Sequence, residues 1–571
     1  MNKENQQVWR TMYLSFLCVF VGVVAAFGSI GFRYLIDFFH NLLFMGTFSF
    51  KHNLSNSRWG NLVILVPAIG LALANYITQK WAPEAKGHGV PEVMVAVSEN
   101  KGRIRPIVAL VKTFASALTI GSGGSVGKEG PIVQIGSSFG STLGQVFKLS
   151  PRETIILVGA GAAGGISATF NAPIGGVMFA LELILPEYSI MTIMPLVVSS
   201  TVSTYISSLI LGTGAAFIIP EYMMVSSYEL LIYALLGLFA GLLSVLFIMS
   251  VYSVEDFIAK IHIPSVFKAL AGGLLVGLIG LFCLKAFGSY YVYGVGYEFL
   301  NSILANKEHS LVLMLSLIVL KIFANSLTLG SGGSGGIFAP SLFLGAALGG
   351  VLGMVANLVF PGDVGPIAAY AIVGMGAMVS GVTGGVLTSI IMIFEMTRNY
   401  QIMLPLMLAV VISHFVAKLL YKETMYTKKL TRRGINIQFD KRISTFKTIT
   451  VGEIMQKHIV GCLPTSTVKD VLALMHEHQL GVLPVIDGSE VLGTISYKEL
   501  YKAKAKDNDP ITAMIIHKPM TIPTTSNLYD ALELLQEIKG DILIVMDKGA
   551  VAGLVTVKRL IYSSMDKRRL S

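Results

Sequence analysis

The chain has 571 residues, 53% hydrophobic and 13% charged, with a net charge of +10 and a mean hydropathy of +0.69. A composition this apolar at this length excludes a soluble enzyme and describes a polytopic membrane protein. Much of the positive excess sits in Lys428, Lys429, Arg432, Arg433, Lys441 and Arg442, after the last long apolar run, and in Lys567, Arg568 and Arg569. That placement reads as cytoplasmic juxtamembrane charge and argues against a nucleic-acid partner.

In chain order, apolar runs of spanning or near-spanning length fall near residues 11–31, 61–78, 191–212, 229–251, 268–288, 310–329 and 402–420. A bilayer core takes roughly 20 helical residues. Other apolar stretches are shorter or glycine-interrupted, so no number of spans follows. The first run comes after MNKENQQVWR, is long for the core of a signal peptide and has no clean small-residue cleavage site before Arg33, so a retained first helix is expected.

Between these runs lie GHGVPEV (87–93), GKEGP (127–131) and GGIFAP (335–340), each bringing glycine and then proline to a helix start. The segment KTFASALTIGSGGSVGKEGPIVQIG (112–136) returns as KIFANSLTLGSGGSGGIFAPSLFLG (321–345) with about half its positions identical. The chain therefore holds a duplicated unit in which a helix breaks and restarts. Broken helices in paired halves point to a transporter's binding site. A helix starting inside a bilayer has up to four unpaired N–H groups, each costing several kcal/mol if left dry. An anion satisfies them, assisted by the roughly +0.5 charge of the helix dipole. Glycine lets the ion approach the backbone, and proline gives up an N–H that had no helical partner. Hinges or small-residue packing would account for one such motif; three, two of them duplicated, favour anion binding.

GSGGSVGKEG also looks like a phosphate-binding P-loop, but Ser122 stands where that motif needs its first glycine, and Glu129 follows Lys128 where it needs serine or threonine. Glu129 has a different use. A carboxylate at a helix start gains up to about 2 kcal/mol from the dipole, while burial costs it several kcal/mol. Protonation and anion binding are then expected to compete there, linking anion passage to pH. The three cysteines, Cys18, Cys283 and Cys462, show no ligand spacing, so neither disulfides nor a metal site is expected.

Hydropathy collapses near Tyr421, and from about Thr450 to Asp566 short β-branched runs alternate with amphipathic helical stretches. Two units repeat there, with LPVID followed by GTIS in the first and LIVMD followed by GLVT in the second. They resemble the paired CBS domains, placed at about 450–503 and 510–566 within a cytoplasmic region 441–571. CBS pairs commonly bind adenine nucleotides through a hydroxyl residue and an aspartate three positions later. Here Ser496 is followed by Glu499 and Thr556 by Arg559. The resemblance thus leaves Ser496, Glu499 and Thr556 as candidate nucleotide contacts, with a packing and dimerisation module as the alternative.

The membrane region resembles the CLC family of chloride channels and chloride/proton antiporters. The resemblance rests on GHGVPEV, GKEGP, AGAAGGISATFNAPIGGVMFALE (160–182), GGIFAP, GGVLTSIIMIFEMTRNYQIMLP (384–405) and the tyrosine of KETMYTKKL, in that order. It implies an all-α membrane domain (1–440) of two inverted-topology repeats, a homodimer with one anion pathway per subunit, and chloride and protons as substrates without a required cofactor. It makes Glu129 the gating and proton-transfer glutamate. His88, Gly89, Val90, Lys128, Gly130, Ile337, Phe338 and Tyr426 become the other anion-site residues. A multi-pass protein of the cell's inner membrane with both termini cytoplasmic is expected.

Two departures bear on mechanism. Many members carry serine where this chain has His88, a larger group able to donate N–H and carry charge; it either lines the central site or turns away into packing. Many antiporters carry a second glutamate after the one ending the ALE-like run, but here Leu183 follows Glu182. Glu182 or a water chain is left to take its place. Chloride/proton antiport is the favoured reading and a voltage- or pH-gated chloride channel the alternative. A fluoride exporter, a CBS-regulated divalent-cation transporter and a membrane-tethered nucleotide sensor rank lower. A cation pore should show carboxylate clusters or carbonyl filters, whereas this sequence reads as a lone membrane glutamate among N–H donors. No nucleophile, base or metal cluster stands in register for an enzyme.

Overall fold

The computed structural model describes residues 3–560 apart from 51–56, 186–187, 215–216, 218–225, 227, 306, 308–309, 436–448, 458, 479, 489, 503–505, 514–519, 539–541 and 548–549. Lys441, Arg442, Lys567, Arg568, Arg569 and the expected boundary at 440/441 lie outside the described residues. The chain forms two compact units, the larger being Gln7–Ile437.

The elements of the larger unit among the described residues are helices. After α1 (Lys3–His40), a first set comprises α2 (Leu65–Trp81), α3 (Val90–Ser98), α4 (Ile107–Gly121), α5 (Glu129–Val146), α6 (Pro151–Phe170), α7 (Pro173–Phe179) and α8 (Ile190–Leu211). The long α9 (Glu229–Lys260) follows. A second set then comprises α10 (Ser265–Phe287), α11 (Tyr297–Leu304), α12 (Leu311–Gly330), α13 (Phe338–Val359), α14 (Ile367–Thr383), α15 (Val386–Thr397) and α16 (Met403–Leu420), with α17 (Met425–Thr431) last. Among the described residues, nine helices are long and apolar enough to cross a membrane. Seven coincide with the apolar runs of the sequence; the other two, α6 and α13, are rich in glycine and alanine.

Local chemistry explains the breaks. Gly123 after α4 and Gly332 after α12 hold φ of 95° and 107°, which L side chains rarely adopt, so each helix ends there. Helix α6 starts at a capping box of Ser150 and Glu153 with Pro151 in its first turn, and ends at Asn171 in the left-handed region.

Packing repeats between the sets. A Cβ on Gly136 of α5 would lie 2.2 Å from the Gly161 carbonyl of α6, and one on Gly345 of α13 would lie 2.2 Å from the Gly374 carbonyl of α14. Small residues let these backbones touch, as membrane helices require. Polar side chains add interhelical bonds: Ser199, Ser203 and Ser207 of α8 donate to the carbonyls of Ala160, Gly164 and Ala168 on α6, and Ser413 of α16 donates to Ala377 on α14. The two sets meet head-on at their breaks, where Gly127 N–H donates to the Gly336 carbonyl (2.8 Å) and Gly336 N–H donates back (2.6 Å). This reciprocal antiparallel junction relates two inverted-topology halves.

The smaller unit has two modules. In one, β1 (Val482–Asp487) pairs antiparallel with β2 (Glu490–Ser496) beside α19 (Val468–His478) and α20 (Tyr497–Lys502). In the other, β3 (Thr521–Pro523) runs parallel to β4 (Ile542–Asp547), which pairs antiparallel with β5 (Ala550–Thr556) beside α21 (Leu528–Ile538). Their leading segments are exchanged. Helix α18 (Val451–Ile454) buries Val451 and Ile454 with Ile522, Leu528 and Leu543 of the second module, whereas Ile511 packs with Val468, Leu483 and Ile495 of the first.

Candidate functional site

Three helix starts converge at the junction between the halves. Gly87 N–H donates to the Gly333 carbonyl and Gly335 N–H donates to Gly87 (both 3.2 Å), tying the loop before α3 to the break before α13. Gly130, in the first turn of α5, sits so close that a Cβ there would be 2.0 Å from the His88 carbonyl and 3.1 Å from Gly336 Cα. His88, Gly89, Glu129, Gly130, Ile337 and Phe338 thus come together from α3, α5 and α13, with Val90 buried at the start of α3. Tyr426, buried on α17, interacts electrostatically with Glu129. Helix α17 is held there by the Tyr252 hydroxyl, which donates to the Met425 carbonyl, and by the Thr424–Thr427 capping box.

Glu129 is 1% exposed. Its Oε1 accepts from the Tyr297 hydroxyl at 3.3 Å, while its buried Oε2 has no hydrogen-bond partner among the described residues. That oxygen and the Ala339 amide of α13 both flank Gly127. The first turn of α5 therefore presents its carboxylate to the start of α13. The Lys128 ammonium lies 5.2 Å from the centroid of the Tyr297 ring. The His88 imidazole is 4% exposed, edge-on to Tyr252, with Nδ1 unpartnered among the described residues.

Glu129 is not alone among charges in the apolar region, which corrects the sequence reading. Lys112 on α4 is fully buried and donates to the carbonyls of Ala85 (2.9 Å) and Gly87 (2.7 Å). Lys321 on α12, its counterpart in the repeat, donates to Val292 and Gly294 (both 3.1 Å). Each ammonium satisfies loop carbonyls just before a short helix, α3 or α11. The sequence had signals for this. Lys112 and Lys321 begin the two aligned repeat segments, and GVGYEFL (294–300) echoes GHGVPEV through its two glycines.

Glu182 sits in a π-helical turn (Ala180–Ile184) and accepts from the N–H groups of Val386, Leu387 and Thr388 and from the Thr388 hydroxyl, at 2.7–3.2 Å. Glu395 returns the arrangement, accepting from Ile174 N–H (3.0 Å) and Gly175 N–H (2.6 Å) at the start of α7. Each carboxylate caps the opposite half's helix. Both Glu182 oxygens are engaged in these bonds.

In the smaller unit, Ser496 N–H donates to Glu499 (2.8 Å) and Glu499 N–H donates to the Ser496 hydroxyl oxygen (3.3 Å). Thr556 accepts from Arg559 N–H, and the Arg559 guanidinium reaches the Ile454 carbonyl. These positions form helix caps.

Inverted repeats whose broken helices begin at one buried, donor-rich junction define a membrane transport protein built for anions. The profile of the voltage gated chloride channel family matches residues 70–418, and the CBS domain profile matches 451–506 and 511–566. The chain belongs to the voltage gated chloride channel family and carries a CBS pair. It is 35% identical over 381 residues to a chloride channel protein named only as ClcB-like from Ralstonia nicotianae, covering 66% of this chain and 86% of that one. It is 32% identical over 376 residues to the H(+)/Cl(-) exchange transporter ClcA of Vibrio cholerae, covering 64% and 79%. Among solved structures it resembles a slow cyanobacterial Cl-/H+ antiporter, with TM-score 0.63, 25% identity and coverage of 74% of this chain and 98% of that one.

Proposed function

We propose that the protein is a chloride/proton antiporter gated by Glu129, acting as a homodimer with one pathway per subunit in the cell's inner membrane, both termini cytoplasmic. The observation that carries this reading is the Glu129 carboxylate, buried at the start of α5 beside the start of α13. Ionised, it competes with chloride for the backbone N–H groups of Gly130, Ile337 and Phe338 and for the Tyr426 hydroxyl. Protonated, it gives up those donors and admits the anion. His88 adds a side chain to the central site from the start of α3. The proton reaches Glu129 through water, because Glu182 is spent as a helix cap.

Chloride flux without coupled protons is the second reading, favoured by Leu183, buried and packed near Gly385 where many antiporters hold an acid. For the CBS pair we propose a packing and dimerisation role over adenine-nucleotide binding, because Ser496 and Glu499 are already bonded to each other. Purified protein in liposomes under a chloride gradient, with chloride efflux and external pH recorded together, separates the two transport readings. Uphill proton movement that Glu129→Gln abolishes is the expected result; chloride efflux with no driven protons establishes the channel.

A further inference from the structure

Tyr297 is not part of any motif that marks the anion pathway, yet its hydroxyl reaches the gate. It stands first in α11, at the place in the second half that Val90 holds in the first, each following a glycine with φ of 85°. The hydroxyl lies 3.3 Å from Glu129 Oε1, and among the described residues no other side chain bonds that carboxylate. We infer that Tyr297 is a positioning residue for the gate, its phenol holding the ionised Glu129 carboxylate in the place where it competes with chloride. The inference rests on the gating role proposed for Glu129.

The phenol is itself held. Lys128 covers one face of its ring, and Phe217 meets it edge-on with centroids 5.9 Å apart and planes at 90°. The loop before it is anchored by Lys321 through Val292 and Gly294. A clamped donor cannot follow a carboxylate that swings away, so its bond is available to the seated form only, and it is stronger when that form is ionised. The other groups facing Glu129 are Lys128 beside it, the Ala339 amide of α13 and Tyr426 of α17; Arg33 and Asp37 of α1 act on Lys128. Replacing tyrosine by phenylalanine leaves all of these, including the contact of Lys128 with the ring, and removes the hydroxyl alone.

The test is chloride efflux from liposomes as a function of pH for wild type, Tyr297→Phe, Glu129→Gln and the double variant. A hydrogen bond to a charged group at this long separation corresponds to about a three- to tenfold change, or half to one pH unit. Tyr297→Phe is expected to move the pH of half-maximal efflux upward by that amount, because the seated carboxylate loses a donor and protonates more readily. The double variant is expected to match Glu129→Gln. Incorporating 3-fluorotyrosine at 297, a more acidic donor, should move the midpoint downward, an opposite sign that general loss of stability would not give. An unmoved midpoint in Tyr297→Phe, or a double variant that differs from Glu129→Gln, overturns the inference. If Glu129→Gln keeps the wild-type pH profile, the gate itself is wrong, and that failure is distinct.

Discussion

The two halves of the membrane unit agree at several buried polar groups and differ in the side chains at their helix starts. Lys112 and Lys321 each serve two loop carbonyls, and Glu182 and Glu395 each cap a helix of the other half. Thr119 accepts from Ser334 N–H just as Thr328 accepts from Ser125 N–H. At the helix starts the pairs part company: His88 against Val295, Val90 against Tyr297, Glu129 against Phe338. The common backbone brings the donors to one place, and the divergent side chains decide what happens there.

The sharpest way to break this comparison is to remove the shared lysines. Lys112→Met and Lys321→Met each strand two buried carbonyls, at about 1–3 kcal/mol apiece, so each is expected to lose about 2–6 kcal/mol of stability. Thermal unfolding in detergent checks this, and a large cost in one half with none in the other would contradict their equivalence. The caps come next. Glu182→Ala and Glu395→Ala are each expected to cost about 0.5–2 kcal/mol, with Glu182 the larger because it satisfies more donors. Proton coupling in liposomes should survive Glu182→Ala, since its carboxylate is structural. His88→Val, which makes the first half match the second, tests the pathway rather than the fold: the ranking of chloride, bromide and nitrate flux should change, and an unaltered ranking would show that His88 does not line the pathway.

What could be read from the sequence depended on how local each interaction is. The break-and-restart unit was legible because about half of its positions repeat, and the seven apolar runs because hydropathy is summed over neighbours. The kinship of GVGYEFL with GHGVPEV was faint, since only two glycines are shared and the rest of the likeness lies in a backbone angle and a lysine anchor. Tyr297 therefore escaped notice. The caps by Glu182 and Glu395 join residues more than two hundred positions apart, a spacing no local pattern encodes. Ser496 and Glu499, by contrast, carry the serine-to-glutamate spacing of a capping box, which their resemblance to a nucleotide contact obscured.

The bonds across the junction also set a timetable for biogenesis. Ser125 N–H awaits the hydroxyl of Thr328, and its carbonyl awaits the Asn325 amide, some two hundred residues further along the chain. At about 5–20 residues per second, the first broken helix emerges from the ribosome roughly 10–40 s before its partner exists. During that interval its loose ends must be sheltered by water, lipid headgroups or the insertion machinery, so the first half reaches its final form only after the second has been made.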